Sequence, residues 1–221
     1  MTLDIGRSFT YMFDDEGWIK KIVIGGILFF IPIVNFMVLG YMLEVLKRIA
    51  DGMDIPLPEW EDFGGKFMKG LIFFVIGFIY QIPMMPLLCL NFGLMGVYVL
   101  GVGGVSDNEA LMNMARMLRA CSNCVYLIYT VAVLFVAPAA LIRYAMTGVF
   151  RSAFQFGKIF GFIRDNIANY VVALALAVVA VYIAYFGVIA CFVGLLFTMF
   201  WYYLVMAHLL GQVQRESLAV A

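Results

Sequence analysis

Polar and apolar residues in this chain segregate into long blocks rather than alternating within short ones. Four uncharged apolar tracts stand out, at about 22–43, 70–106, 125–142 and 170–210. A helix rises 1.5 Å per residue and needs about 20 residues to cross a hydrocarbon layer, so the first and third tracts predict single crossings. The second and fourth are too long for one straight crossing. Pro83 and Pro86 offer a break in the second, and Gly187 a break in the fourth, so each predicts a hairpin. A re-entrant pair is the alternative for the second, provided protein covers the exposed backbone groups at its turn. The expected fold is all-α, a polytopic helical membrane protein of about six transmembrane segments in one membrane domain over 1–221.

Two segments outside the tracts carry helical periodicity. Ile5, Phe9, Met12 and Phe13 recur on one face ahead of Asp14-Asp15-Glu16, and Trp18 follows just before the first tract. In the second segment, Phe156, Ile159, Phe160 and Ile163 share a face opposite Arg151, Gln155 and Lys158, with Phe162 intruding on the polar side. Residues 1–19 and 150–166 are therefore expected as interfacial amphipathic helices. Trp18 and Trp60, together with Arg151, Lys158 and Arg164, are the candidate contacts to lipid headgroups. The plainer reading of 150–166 is an elbow between two crossings. A further short helix over 108–120 is expected behind the capping pair Ser106-Asp107.

Composition sharpens this picture. Hydrophobic residues make up 65% of the 221 and charged residues 13%, a balance that a water-soluble core of this size could not bury. Lys+Arg and Asp+Glu both number 14, so nucleic acid is not an expected partner. The start lacks a signal-peptide pattern, and the first apolar run is expected to direct insertion. With six crossings, eight Lys and Arg lie on the side of the termini against six opposite, a small bias that places both termini in the cytoplasm. Cys89 and Cys191 lie inside apolar runs as small hydrophobes. Cys121 and Cys124 form Cys-x-x-Cys, a redox or metal pattern, but with one histidine and no second such pair a closed zinc site lacks its ligands.

From residue 15 to residue 62 the chain carries a more specific pattern. An acidic residue and Trp18 precede Lys20, then come Gly25-Gly26, Ile31-Pro32, Gly40-Tyr41, Lys47-Arg48, Gly52 and the block Leu57-Pro58-Glu59-Trp60-Glu61-Asp62. This resembles the membrane family known as domain of unknown function 4013. Pro138, Arg143-Tyr144 and the closing Ala207-His208-Leu209-Leu210-Gly211-Gln212 extend the likeness over most of the chain. The resemblance implies a bacterial or archaeal multi-spanning membrane protein and brings no activity, cofactor or site.

Candidate chemistry is sparse. The loop 51–62 holds five carboxylates and two prolines, which suits either a hard cation or a rigid turn with Trp60 anchored at the interface and its acids solvated. Asn35, Gln81, Asn91, Arg143 and His208 are the candidate intramembrane polar residues. Such groups line ion paths, or else glue helices together and snorkel to the interface. Gly101-Val102-Gly103-Gly104 lacks the Lys-Ser/Thr of a phosphate loop and reads as a flexible exit. Without a Gly-x-Ser-x-Gly or a carboxylate inside any tract, no enzyme is expected, and no cofactor or metal. The leading expectation is a non-enzymatic protein acting through helix or lipid contacts, as a membrane organiser or accessory subunit. Its partners would be membrane lipids, other membrane subunits or further copies of itself. A transporter lined by the five polar residues is the alternative, and a redox or metal enzyme at the cysteine pair the remote one.

Overall fold

The computed structural model describes residues 3–100, 109–189 and 193–220, and among them there is no strand. The helices are α1 (Ile5–Thr10), α2 (Trp18–Phe30), α3 (Phe36–Ala50), α4 (Phe63–Gln81), α5 (Met85–Leu100), α6 (Glu109–Thr147), α7 (Phe156–Asp165), α8 (Ile167–Tyr185) and α9 (Val193–Val220). The chain forms two compact units, 1–76 with 138–221 and, separately, 77–137.

In the first unit α9 is the central helix, flanked by α1, α2, α3 and α8. Its partners run in defined senses. Asp4 N–H donates to Gln212 Oε1 (2.8 Å) and Tyr11 OH to the Leu204 carbonyl (3.0 Å), so α1 and the turn after it run antiparallel to α9. Ala184 accepts from Thr198 Oγ1 (2.7 Å) and Asn169 donates to Glu216, which makes α8 antiparallel to α9 as well. This is the hairpin expected in the fourth tract. It turns through the 3-10 segment Phe186–Ile189, where a Cβ on Gly187 would overlap Thr198 Oγ1 and lie 2.9 Å from the Gly194 backbone. Only a bare α-carbon lets the two helices approach so closely there.

Among the described residues, four helical runs are long and apolar enough to cross a membrane: 63–96, 112–147, 167–189 and 194–219. The difference from the expected count of about six arises at two places. The first tract is not one crossing. Pro32 holds Ile31 in an extended conformation (ψ 113°), Ile33 takes a positive φ of 72°, and the tract breaks into α2 and α3. At 13 and 15 residues these reach only about 20 and 23 Å, short of the roughly 30 Å hydrocarbon layer. The second tract does not reverse at its prolines. The chain passes from α4 to α5 through the single 3-10 turn Ile82–Met84, within one 34-residue apolar helical run. Pro83 and Pro86 fall in the first turns of helical segments, where a missing N–H leaves no bond unmade. The separate helix expected over 108–120 is the start of the 39-residue α6, which continues through Pro138.

α3 meets α4 backbone to backbone within the first unit. A Cβ on Gly40 would overlap the Lys66 carbonyl oxygen, and one on Gly70 would overlap that of Phe36. Small residues at such a crossing gain dispersion contact by bringing whole helices together.

Candidate functional site

The best-built polar region of the first unit is a clasp between α2, α3 and the loop 51–62. Lys21, on the first turn of α2, donates from Nζ to Asp15 Oδ2 (2.7 Å) and to the Leu57 carbonyl (3.3 Å), and it pairs with Glu59 Oε1 at 2.7 Å. Three acceptors match the three donors of an ammonium, the condition for burying one. Lys21 and Asp15 are 5% and 6% exposed. Asp15 is held in place by accepting from Gly17 N–H (2.8 Å). Burial alone would lower the Lys21 pKa, but Asp15 and Glu59 outweigh it and hold it above the usual lysine value.

Aromatic rings close the clasp. Trp60 Nε1 donates to the Lys21 carbonyl (2.9 Å), its ring stacks on Tyr41 at 4.3 Å, and Tyr41 OH donates to the Pro58 carbonyl (2.9 Å). Burial, then the charges of Asp15 and Glu59, push the Tyr41 phenol far above its ordinary pKa. Trp60 is therefore not the exposed interfacial anchor expected from the sequence. It is buried because both its N–H and its ring find partners inside the protein. The motif that runs from Asp15 to Trp60 thus converges in space, where its contacts join α2, α3 and the loop 51–62.

A cavity of about 1080 Å³ opens beside the clasp. Glu44 bridges two lysines across it, with Lys66 Nζ at 3.1 Å and Lys69 Nζ at 2.6 Å, and Lys66 also donates to the Glu61 carbonyl (2.7 Å). Asp14, Glu16, Asp51 and Asp62 face the same space as Lys47 and Arg48. Four of the five acids of the loop 51–62, Asp51, Glu59, Glu61 and Asp62, are thus part of a mixed-charge wall. Among the described residues no three His, Cys, Asp or Glu side chains are arranged to hold a metal ion.

A second cavity, of about 800 Å³, is lined by residues of α1, α9 and the chain around Met53. His208 stands in its wall and is 6% exposed. Its Nδ1 lies 3.0 Å from Ser8 Oγ and 2.7 Å from Gln212 Nε2, and its ring stacks on Tyr11 at 4.4 Å. Gln212 Nε2 also donates to Ser8 Oγ (2.9 Å). The amide nitrogen can only donate, so Nδ1 accepts and a neutral ring carries its proton on Nε2. Burial, with Tyr41 nearby, holds the Tyr11 phenol well above its usual pKa.

The remaining candidates are dispersed, and of the five intramembrane polar residues only His208 lines one of these cavities. Within 77–137, Asn91 donates to Ser122 Oγ (2.7 Å) and the Leu87 carbonyl (3.0 Å), its Oδ1 unpartnered, and Gln81 is exposed. In the first unit Asn35 Oδ1 is buried without a partner, and Arg143 donates to Gln155 Oε1 (2.9 Å) while its Nε finds none. Cys121 and Cys124 are exposed on α6. Trp18 meets Phe13 edge to face at 4.9 Å. On α7, Ile159 is buried while Phe156 and Phe160 are exposed, as are Lys158 and Arg164; Arg151, just before the helix, is exposed too. The Gly101–Gly104 exit, the Ser106-Asp107 cap and Cys191 lie outside the described residues. Sequence reasoning missed Ser8, Tyr11, Lys21 and Gln212. The available signals were the Asp4, Ser8, Tyr11 spacing on one helical face and the Asp15 and Lys21 pair inside the family-like motif.

A family model described as "Protein of unknown function (DUF4013)" matches residues 24–193, well over half of the chain. No curated protein and no solved structure matches.

Proposed function

The chain belongs to the DUF4013 family, whose function is unknown, and on that premise we propose that it is a non-enzymatic membrane protein acting through contacts with lipids and partner helices. The supporting observation is how little the long apolar helices bury within the chain. The most apolar windows of 63–96 and 112–147 are only 17% and 22% buried. Large apolar surface of this kind needs lipid or other helices against it. Among the described residues, the five candidate intramembrane polar side chains do not gather around one cavity.

Four crossings also sharpen the orientation. Assigned to the nearest end of each span, twelve of the 14 Lys and Arg fall on the side of the termini, and only Arg116 and Arg119 fall opposite. By the positive-inside rule the clasp, both large cavities and α7 then belong to the cytoplasmic face. In a cysteine-free background, Asp54→Cys should react with an impermeant maleimide only in inside-out vesicles and Glu109→Cys only in right-side-out ones. Labelling of both from one side would refute the arrangement.

The contact reading is tested by native mass spectrometry of the protein taken from its own membrane in mild detergent, paired with flux assays in liposomes. Retained lipid or a stoichiometric partner supports it. Solute or ion flux abolished by alanine at Asn35, Asn91, Arg143 and His208 would replace it with a transport function.

A further inference from the structure

Charges in the cavity beside His208 are not all accounted for by the protein. Asp4 caps α1 by accepting from Arg7 N–H (2.9 Å), and Glu216 accepts from Asn169. Arg7 and Arg215 line the same space, yet among the described residues neither forms an ion pair, although three carboxylates share the cavity with them. The Arg215 guanidinium lies along the turn at Gly52, whose φ is +83° and whose Cβ, if present, would be 3.5 Å from it. Asp54 likewise has no hydrogen bond or ion pair among the described residues. With Nδ1 of His208 occupied by Ser8 and Gln212, Nε2 is the ring's remaining polar atom.

The groups with no side-chain hydrogen bond or ion pair among the described residues are thus two guanidiniums, the Asp54 carboxylate and one imidazole N–H, beside the apolar side chains of Ile49, Met53 and Pro56. A simple anion would leave Asp54 facing it unfavourably, and a simple cation would leave both guanidiniums without a hydrogen-bond acceptor, although Asp4 and Glu216 share the space with them. We propose that this cavity binds a zwitterionic phosphate, a phosphate group on Arg7 and Arg215 with a primary ammonium on Asp54. Guanidiniums match phosphate oxygens with paired hydrogen bonds. Its volume of about 800 Å³ lies within the ~300–1,000 Å³ of ordinary ligand sites. α9 enters the site from its apolar span, so the same chemistry is available from an ethanolamine phospholipid headgroup or from free phosphoethanolamine.

This site rests on the contact-based reading and narrows it to one ligand class. The test uses full-length protein, delipidated in detergent and offered ethanolamine or glycerol phospholipid of equal chain length, with bound lipid counted by native mass spectrometry. The wild type should hold the ethanolamine lipid at least about tenfold more tightly than an Arg7→Gln/Arg215→Gln variant, the loss expected for two charge-assisted contacts. Asp54→Asn should erase the preference between headgroups. Both arginines and Asp54 are exposed, so these variants keep the fold, which an unchanged melting profile verifies. Competition by free phosphoethanolamine assigns recognition to the headgroup alone, and lipid binding without such competition assigns it to the intact lipid. Equal binding by wild type and double variant overturns the site. If that happens while lipid or partner is still retained elsewhere, the contact reading stands without it.

Discussion

Residues 15–60 and residues 77–137 are both dominated by apolar side chains, yet they use them in opposite ways. In the first, Asp15 and Lys21 are buried with a full set of partners, and Tyr41, Trp60 and Phe200 pack over them. In the second, Phe92, Met117 and Ile128 are 66%, 73% and 71% exposed, and its polar contacts among the described residues include the Asn91–Ser122 hydrogen bond and that from Tyr129 OH to the Tyr80 carbonyl. A buried ion pair is an all-or-none commitment: satisfied it fixes geometry, and half-removed it leaves a charge in a poor solvent. Exposed apolar helices make no such commitment, and their surroundings complete them. The first region should therefore respond steeply to single changes and the second weakly.

The largest expected effect is at Lys21. Lys21→Met leaves Asp15 buried without its cation and should cost about 3–5 kcal/mol, read as a large drop in unfolding midpoint in detergent. A midpoint within error of the wild type would mean that the clasp does not hold α2 and α3 together. Next comes Gly40→Ala, whose methyl would overlap the Lys66 carbonyl and should cost about 1–3 kcal/mol by forcing α3 from α4.

Alkaline pH should act on the same region. Lys21, Tyr11 and Tyr41 all have folded pKa values raised above their unfolded ones, so their contribution is complete below about pH 10 and is lost as the pH climbs toward the folded values. Stability measured from pH 8 to 11 should be flat at first and then fall, with a shallower fall in Tyr41→Phe. Loss on acidification alone would contradict the sign. In the second region Asn91→Ala should cost only about 0.6 kcal/mol, the average for a hydrogen bond between membrane helices. Smallest of all, serine at both Cys121 and Cys124 should change stability by less than about 0.5 kcal/mol, because both are exposed. A larger loss in that variant would reopen the redox or metal reading.

The two long tracts show where sequence reading succeeds and where it misleads. Pro83 and Pro86 look like a turn and are absorbed by a continuing helix, whereas Gly187 marks a real reversal. A proline's effect depends on whether its missing N–H falls in a first turn, which is a matter of register. A glycine at a reversal matters because another helix must come close, and here Gly194 and Thr198 do. Pro32 was visible as an interruption of the first tract, but the resulting division into two helices too short to cross was not.

Taken alone, the sequence determined the helical content, the presence of apolar runs long enough to cross a membrane and the family-like motif, because these follow from apolar run length, period and residue identity. Only the tertiary structure decided what the motif does. Lys21 meets Asp15, Leu57 and Glu59, and His208 meets Ser8 and Gln212, with sequence separations of up to 200 residues. Pairings at that distance are set by how helices pack around α9, and no local pattern of residues encodes them.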